Sequence, residues 1–136
     1  MGRIIGIDWG TVRVGVAMSD EEAKLSFPLQ NPLPTKTAIS EVSKLAEEYQ
    51  VKKIIIGLPL SLSGEEGESA EKTKKFGSEI SKQTGIEVEY MDERFSSVAS
   101  SKALAAQDIK EKDQREIKDN IAAALMLQQY LEKVIK

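Results

Sequence analysis

Histidine and cysteine are both absent from this 136-residue chain. Without cysteine, the chain can form no disulfide, no thiolate nucleophile and no cysteine-ligated zinc site. Without histidine, a Ser-His-Asp triad, a histidine general base and a histidine metal site are excluded too. Hydrolytic chemistry must therefore come from Asp, Glu, Lys, Ser or Tyr, or from a metal held by carboxylates. Oxygen ligands of this kind suit Mg²⁺ or Mn²⁺.

Long apolar runs and an excess of positive charge are also missing. The longest uncharged apolar stretch, Ile54 to Leu62, is less than half a membrane span. No signal peptide is evident at the N-terminus, so we expect a cytoplasmic protein with no membrane partner. The net charge of −3 argues against a strongly basic protein that wraps nucleic acid, but it permits an enzyme with a few local phosphate contacts. The length suits a single domain over residues 1–136.

The hydrophobic pattern predicts an α/β fold, because short strand-like segments are followed by alternating helices and strands. The predicted strands are Arg3–Asp8, Arg13–Met18, an edge strand around Lys24–Phe27, Lys52–Gly57 and Ile86–Met91. The predicted helices are Thr35–Tyr49, Ser69–Thr84, the short Ser96–Ala106 and Arg115–Ile135. Thr35 is expected to cap the first helix and Gly85 to end the second. A charged connector at Gln107–Gln114 precedes the last helix. Right-handed crossovers then give a mixed five-stranded sheet of order 3-2-1-4-5, with helices on both faces.

Asp8 ends the first strand, which the predicted order places at the centre of the sheet. Ends of central strands are where α/β sheets form ligand crevices. Gly6, Gly10 and Thr11 leave room for a phosphate or a backbone to approach. The alternative is that Asp8 only caps the turn, and this segment by itself favours neither interpretation.

Asp92 and Glu93 follow the fifth strand, together with Arg94. Strand alternation lets only one of the two acids enter the crevice easily, and the pattern does not decide which. A surface ion pair is the alternative. The loop from Gly57 to Gly64 leaves the fourth strand beside the same crevice, so the Ser63 hydroxyl could hold a phosphate, although an ordinary connection is the alternative.

Asp119 lies near the start of the last helix, just before three alanines at positions 122–124. Small side chains would let this helix lie close to the sheet and bring Asp119 towards Asp8. The predicted packing stripe is Ile117, Ile121, Leu125 with Ala124, Gln128 and Leu131. The alternative is a solvent-facing acid that favours the helix dipole. Taken together, the carboxylates on separate elements could hold two divalent ions for phosphodiester hydrolysis.

Four segments in sequence order carry a family resemblance. They are Gly6-Ile7-Asp8 with Arg13 to Asp20, Ile56 to Leu60, Asp92 to Ser97, and Asp119 to Ala123 with Leu127 to Leu131. In this order and spacing the chain resembles the bacterial YqgF (RuvX) family, whose members are described as Holliday-junction resolvases and as pre-16S rRNA nucleases. The resemblance implies an RNase H-like fold, and it implies Asp8, Glu93 and Asp119 as the catalytic and metal-binding acids. Glu93 is thereby preferred to Asp92 by analogy.

The function that follows is a metal-dependent endonuclease acting on structured nucleic acid, processing the 5′ end of pre-16S rRNA in ribosome biogenesis. Arg13, Arg94 and Lys118 would contact phosphates, with Ser63, Ser96 and Ser97 as neutral partners beside Gly10 and Thr11. The alternatives are a Holliday-junction resolvase and a non-catalytic nucleic-acid- or ribosome-associated factor. A sugar-kinase or actin-like nucleotide-binding half is less favoured, because 136 residues lack a second lobe. The chain could act as a monomer or a homodimer.

Overall fold

A computed structural model describes residues 2–10, 12–29, 32–58, 67–92 and 111–135, with the backbone alone at 92, 111–119 and 134–135. The strands in these ranges are β1 (Ile4–Asp8), β2 (Arg13–Ser19), β3 (Ser26–Pro28), β4 (Leu33–Pro34), β5 (Lys53–Leu58) and β6 (Glu87–Asp92). The helices are α1 (Ala38–Glu48), α2 (Glu68–Thr84) and α3 (Glu111–Ile135). None of these helices is long and apolar enough to cross a bilayer.

The strands form a mixed sheet in the order β3-β2-β1-β5-β6. β1, β2 and β3 are antiparallel neighbours, whereas β1, β5 and β6 run parallel. This confirms the predicted order 3-2-1-4-5, with β5 and β6 as the fourth and fifth predicted strands. The predicted count of five omitted β4, which pairs with β2 through only two residues. A two-residue strand that contains Pro34 has no alternation to reveal it.

Both faces of the sheet are covered. The unbroken Ile54-Ile55-Ile56 run of β5, with no polar residue in alternation, is the pattern expected of a strand buried on both sides. All three isoleucines are fully buried. Ile54 and Ile56 belong to the core beneath α1 and α2, and Ile55 belongs to a second core beneath α3. The predicted arrangement of helices on both faces is therefore confirmed. The single-domain prediction for 1–136 includes residues outside the described ranges and stays a prediction.

The start of α1 differs from the sequence-based expectation. The helix begins at Ala38 with Thr37 at its N-cap, so the prediction that Thr35 caps it was wrong. The Thr35 hydroxyl instead donates a hydrogen bond of 2.7 Å to the carbonyl oxygen of Gly10. The expected inward face of α1 is confirmed only in part. Val42 and Ala46 are buried, Ile39 and Leu45 are partly buried, and Tyr49, also expected on this face, is exposed.

The second helix agrees with the prediction. Phe76 and Ile80 are buried, and Gly85 ends the helix in the left-handed conformation with φ of 73°. Glycine is favoured there because it has no Cβ to oppose that backbone geometry.

The last helix begins earlier than predicted. It starts at Glu111, so the last four residues of the predicted connector, Glu111–Gln114, are helical. Three of these four, Glu, Lys and Gln, are good helix formers, which the charge pattern concealed. Of the predicted packing stripe, Ile121, Ala124 and Leu131 are buried, whereas Leu125 and Gln128 are only partly buried. The inward face of α3 also contains Asn120, Ala123, Leu127 and Tyr130. The predicted helix Ser96–Ala106 lies outside the described residues.

Candidate active site

Asp8 is the last residue of β1, at the centre of the sheet and partly buried. Its register partners are Gly15 on β2 and Gly57 on β5. Residues in register on neighbouring strands point to the same face of a sheet. Asp8 is therefore flanked at its own level, on both sides, by positions that have no side chain. This arrangement suits a carboxylate that must accept an ion or approach a phosphate.

The face on which Asp8 lies follows from strand alternation in β1. Ile4 packs in the core beneath α3, and Gly6 meets α3 directly. Asp8, two residues after Gly6, shares that face. Trp9 packs against the core beneath α1 and α2, on the opposite side. The bulk of the indole is thus directed away from Asp8.

The turn after Asp8 is held by Gly10 and Thr35. A Cβ at Gly10 would collide with the carbonyl oxygen of Arg13, so glycine is required there. Besides the Thr35 hydroxyl bond to Gly10, the Thr35 backbone N–H donates to the carbonyl oxygen of Val12 at 3.0 Å. Sequence reasoning named Gly10 but missed Thr35, because the contact is long-range. Thr11 lies outside the described residues.

Helix α3 lies directly on β1, as its alanines predicted. A Cβ at Gly6 would stand 2.9 Å from the Cβ of Leu127 and 3.3 Å from the carbonyl oxygen of Ala123. Ala123 itself is fully buried. The approach of helix to strand is therefore limited by backbone atoms and by the first carbon of one side chain.

Asn120 is a buried polar residue that sequence reasoning did not select. Its Oδ1 accepts a hydrogen bond of 2.8 Å from the backbone N–H of Val16, and its Nδ2 donates one of 2.7 Å to the carbonyl oxygen of Leu29. The side chain is fully buried. An amide beside the apolar residues of the helix was the signal available in the sequence.

These contacts fix the direction of α3 relative to β1. Leu127 meets Gly6, and Asn120 meets Val16, the register partner of Ile7. Moving along β1 towards Asp8 therefore corresponds to moving along α3 towards its N-terminus. The backbone at Lys118 and Asp119 lies at the Asp8 end of the sheet, and the side chains of both residues are outside the description.

The structure describes only some of the remaining predicted site residues. Arg13 is exposed, begins β2 and alternates to the same face as Gly15. Met91 is in register with Gly57 and packs against the α3 core. Ser63, Glu93, Arg94, Ser96 and Ser97 lie outside the described residues. Among the side chains that are described, no three acids gather in a group that could hold a metal, so the predicted triad stays a prediction.

Comparison with solved structures shows the fold. The chain resembles Thermus thermophilus RuvC in complex with a Holliday junction substrate, with a TM-score of 0.59 and 14% identity over 98% of this chain and 97% of that one. The fowlpox virus Holliday junction resolvase gives a TM-score of 0.57 with 15% identity, covering 97% and 99%. At identities this low, structural similarity is evidence for the fold alone. It confirms the predicted RNase H-like architecture.

Comparison with sequences shows the family. A protein of Agathobacter rectalis named "Putative pre-16S rRNA nuclease" is 36% identical over 96% of this chain and 94% of its own length. A protein of the same name from a Sulfurihydrogenibium species is 38% identical over 98% and 92%. The family model described as RuvX, Holliday junction resolvase, matches residues 2–133. These descriptions confirm the predicted class of enzyme, a nuclease that hydrolyses phosphodiester bonds. The chain belongs to the RuvX family.

Proposed function

We propose that this chain is a metal-dependent endonuclease that processes the 5′ end of the 16S rRNA precursor during ribosome biogenesis in the cytoplasm. The observation that carries the proposal is Asp8, placed at the end of the central strand between Gly15 and Gly57. The names of the relatives support the substrate.

The donor chemistry of the chain fits Mg²⁺ or Mn²⁺. With no histidine or cysteine in the sequence, carboxylates are the available anionic ligands. We assign Asp8, Glu93 and Asp119 to two such ions. The family resemblance favours Glu93 over Asp92 as the ligand that follows β6. When bound, the ions would lower the pKa of the attacking water and neutralise charge on the phosphate.

The other assigned residues bind and orient the nucleic acid. Gly10 and Thr11 allow the phosphate backbone to approach Asp8, while Arg13, Arg94 and Lys118 contact phosphates. The hydroxyls of Ser63, Ser96 and Ser97 supply neutral hydrogen bonds. The acidic chain makes few such contacts, so binding is local rather than a wrapping of the nucleic acid around the protein.

Holliday-junction cleavage is the second candidate, favoured by the description of the family model. A four-way junction has two strands to cut, which suits a two-fold homodimer, whereas trimming one rRNA strand needs only a monomer. A ribosome-associated binding role without cleavage is a third outcome, and it predicts nucleic-acid binding that survives the loss of Asp8.

The deciding experiment offers a precursor 16S rRNA 5′ end and a four-way DNA junction side by side, with Mg²⁺ or Mn²⁺. We expect cleavage of the rRNA, and we expect Asp8→Asn to reduce it by at least about 10³-fold because a metal ligand is weakened. Asp20→Asn is the matched control. Asp20 lies at the opposite end of β2, where its carboxylate accepts hydrogen bonds from the backbone N–H groups of Lys24 and Leu25, and asparagine can still accept them.

The outcomes separate the candidates. Preferred cleavage of the junction supports resolvase activity in place of rRNA processing. Undiminished cleavage by folded Asp8→Asn rules out Asp8 as a metal ligand. Binding without cleavage of either substrate by the wild-type protein supports the non-catalytic role.

A further inference from the structure

Asn120 occupies a gap in the hydrogen-bonding ladder of the sheet. The backbone N–H of Leu29 donates to the carbonyl oxygen of Val16 at 3.0 Å, as in an antiparallel pair. The reciprocal bond, from the Val16 N–H to the Leu29 carbonyl, is replaced by the Asn120 carboxamide, which accepts from the first group and donates to the second. The side chain of a helix thus completes the ladder as a peptide group would.

The missing backbone hydrogen bond lies where β2 stops pairing with β3 and begins to pair with β4. β2 pairs with β3 through Ala17 to Ser19 and with β4 through Arg13 and Val14, so Val16 stands at the junction between the two. Both hydrogen bonds of Asn120 are made to backbone atoms, which cannot swing away as side chains do. Because the amide is fully buried and both of its partners are fixed, α3 can take only one rotation about its own axis and one position along that axis at this level.

Asp119 is the residue immediately before Asn120. The two hydrogen bonds of Asn120, which together act as an amide clamp between α3 and the sheet, therefore fix the backbone at the proposed metal ligand. We infer that Asn120 is a positioning residue for the metal site: it holds the backbone at Asp119 in the place from which that acid reaches the ions shared with Asp8. This inference rests on the proposed function, because it takes Asp119 as a ligand.

Gln128 provides a matched control within the same helix. Its Oε1 accepts from the backbone N–H of Ser26 at 2.9 Å, and its Nε2 donates to the carbonyl oxygen of Lys24 at 3.1 Å. It is therefore a second amide clamp from α3 to the backbone of the β2–β3 region. It lies roughly 13 Å farther along the helix axis from Asp119. Loss of Gln128 should loosen α3 without displacing the proposed ligand.

The test measures Mn²⁺ binding to the full chain without nucleic acid, from the electron paramagnetic resonance signal of free Mn²⁺. We expect Asn120→Ala to weaken Mn²⁺ binding by about tenfold, the lower end of the range for residues that orient metal ligands. Gln128→Ala should keep wild-type affinity. Both variants should melt at lower temperature than the wild type, so a purely structural role would not separate them. Asn120→Ser, which retains one small polar group, should fold and show an intermediate loss.

Three results would overturn the inference. One is wild-type Mn²⁺ affinity in folded Asn120→Ala or, if that variant does not fold, in Asn120→Ser. Another is an equal loss of affinity in Gln128→Ala, which would mean that general loosening of α3 is enough. The third, unchanged Mn²⁺ binding by Asp8→Asn, would remove the proposed metal site itself. Loss of binding in Asp8→Asn with none in the Asn120 variants would remove the inference alone and leave the proposed function intact.

Discussion

At the scale of single residues, the surroundings of Asp8 bear on whether it is a functional acid or only a turn cap. The turn that follows Asp8 is held by Gly10 and by two hydrogen bonds from Thr35, one to the carbonyl oxygen of Gly10 and one to that of Val12. The partners of Asp8 across both neighbouring strands are glycines. A residue needed only as a cap would not require those two flanking positions to lack side chains. The local arrangement therefore favours the functional interpretation.

The glycine beside Asp8 gives a prediction at this scale. Gly57 lies between Asp8 and Met91 in one row across the sheet. In Gly57→Val, the added side chain would stand on the Asp8 face and obstruct the ions. We expect about tenfold weaker Mn²⁺ binding, with the free energy of unfolding changed by only about 1 kcal/mol because valine favours strands. Mn²⁺ titration and urea denaturation of the same samples measure the two effects.

Gly85→Ala is the control for that substitution. Gly85 has φ of 73° and lies at the end of α2, before β6 begins. Alanine there should lower the free energy of unfolding by about 1 kcal/mol through backbone strain and leave Mn²⁺ binding unchanged. Equal Mn²⁺ affinity in Gly57→Val and the wild type would show that the row beside Asp8 need not be open.

At the scale of elements, the contact between β1 and α3 determines how near the helix comes to Asp8. Gly6→Ala would place a methyl group 2.9 Å from the Cβ of Leu127 and 3.3 Å from the carbonyl oxygen of Ala123. Because the helix backbone must then move, we expect a loss of about 1–3 kcal/mol in the free energy of unfolding, together with weaker Mn²⁺ binding. Urea denaturation and Mn²⁺ titration check the two effects.

A matched alanine substitution is available at Gly67, where an added Cβ meets no atom of the described residues within 4 Å. Gly67 stands at the N-cap of α2 with ordinary negative φ. Gly67→Ala should change the free energy of unfolding by less than about 1 kcal/mol and leave Mn²⁺ binding as it was. If Gly6→Ala proved as mild as Gly67→Ala, the close approach of α3 to β1 would be a less strict requirement than the contact distances indicate.

At the scale of the whole molecule, the two ends of the sheet differ in character. The end at Asp8 has glycines and the proposed metal ligands. The opposite end is joined by ion pairs, of which Lys53 with Glu89 is the shortest across the parallel strands, at 3.0 Å. The Lys53 ammonium lies 5.6 Å from the centre of the Tyr130 ring, so β5, β6 and α3 meet there. In the proposed function, the ion pairs at one end stabilise the fold, whereas the carboxylates at the other end bind metal ions.

The ion-paired end gives a pH prediction. The pKa of Glu89 is lowered from its ordinary value of 4.5, mainly by the hydrogen bond from Lys53 and to a lesser extent by the hydrogen bond from Tyr130. A carboxylate whose pKa is lower in the folded state stabilises the fold above its unfolded pKa, and this contribution is lost as pH falls through the folded pKa. The side chains of Lys53 and Glu89 are partly exposed, at 26% and 48%, so their ion pair contributes less than about 1 kcal/mol to the free energy of unfolding.

Glu89→Gln should therefore reduce the free energy of unfolding near neutral pH and converge with the wild type below the folded pKa of Glu89. Urea denaturation along a pH series that falls from about pH 7 through the folded pKa of Glu89 measures this change. A difference between the two proteins that stays constant along the whole series would show that the Glu89 charge is not the source of the effect. Mn²⁺ binding at neutral pH should be the same in both, since the pair lies at the far end of the sheet from Asp8.

The sequence by itself determined the architecture, because the signals involved are local. The Ile54-Ile55-Ile56 run indicated a strand covered on both faces, and Gly85 indicated where α2 ends. The order of strands and helices, with right-handed crossovers, placed β1 at the centre of the sheet and Asp8 at its end. Small residues at positions 122–124 indicated that α3 would lie close to the sheet. Each inference used only local patterns and the order of the predicted elements along the chain.

The tertiary structure decided what depends on contacts between distant segments. Thr35 was expected to cap α1 and instead holds the turn at Gly10, and β4 was too short to leave a pattern. Asn120 looked like one polar residue in a helix, yet it completes the ladder between Val16 and Leu29, more than a hundred residues away from Val16 along the chain. A hydrogen bond of this kind depends on where the backbone leaves a donor and an acceptor unpaired. That is a property of the folded sheet, which local periodicity and composition do not encode.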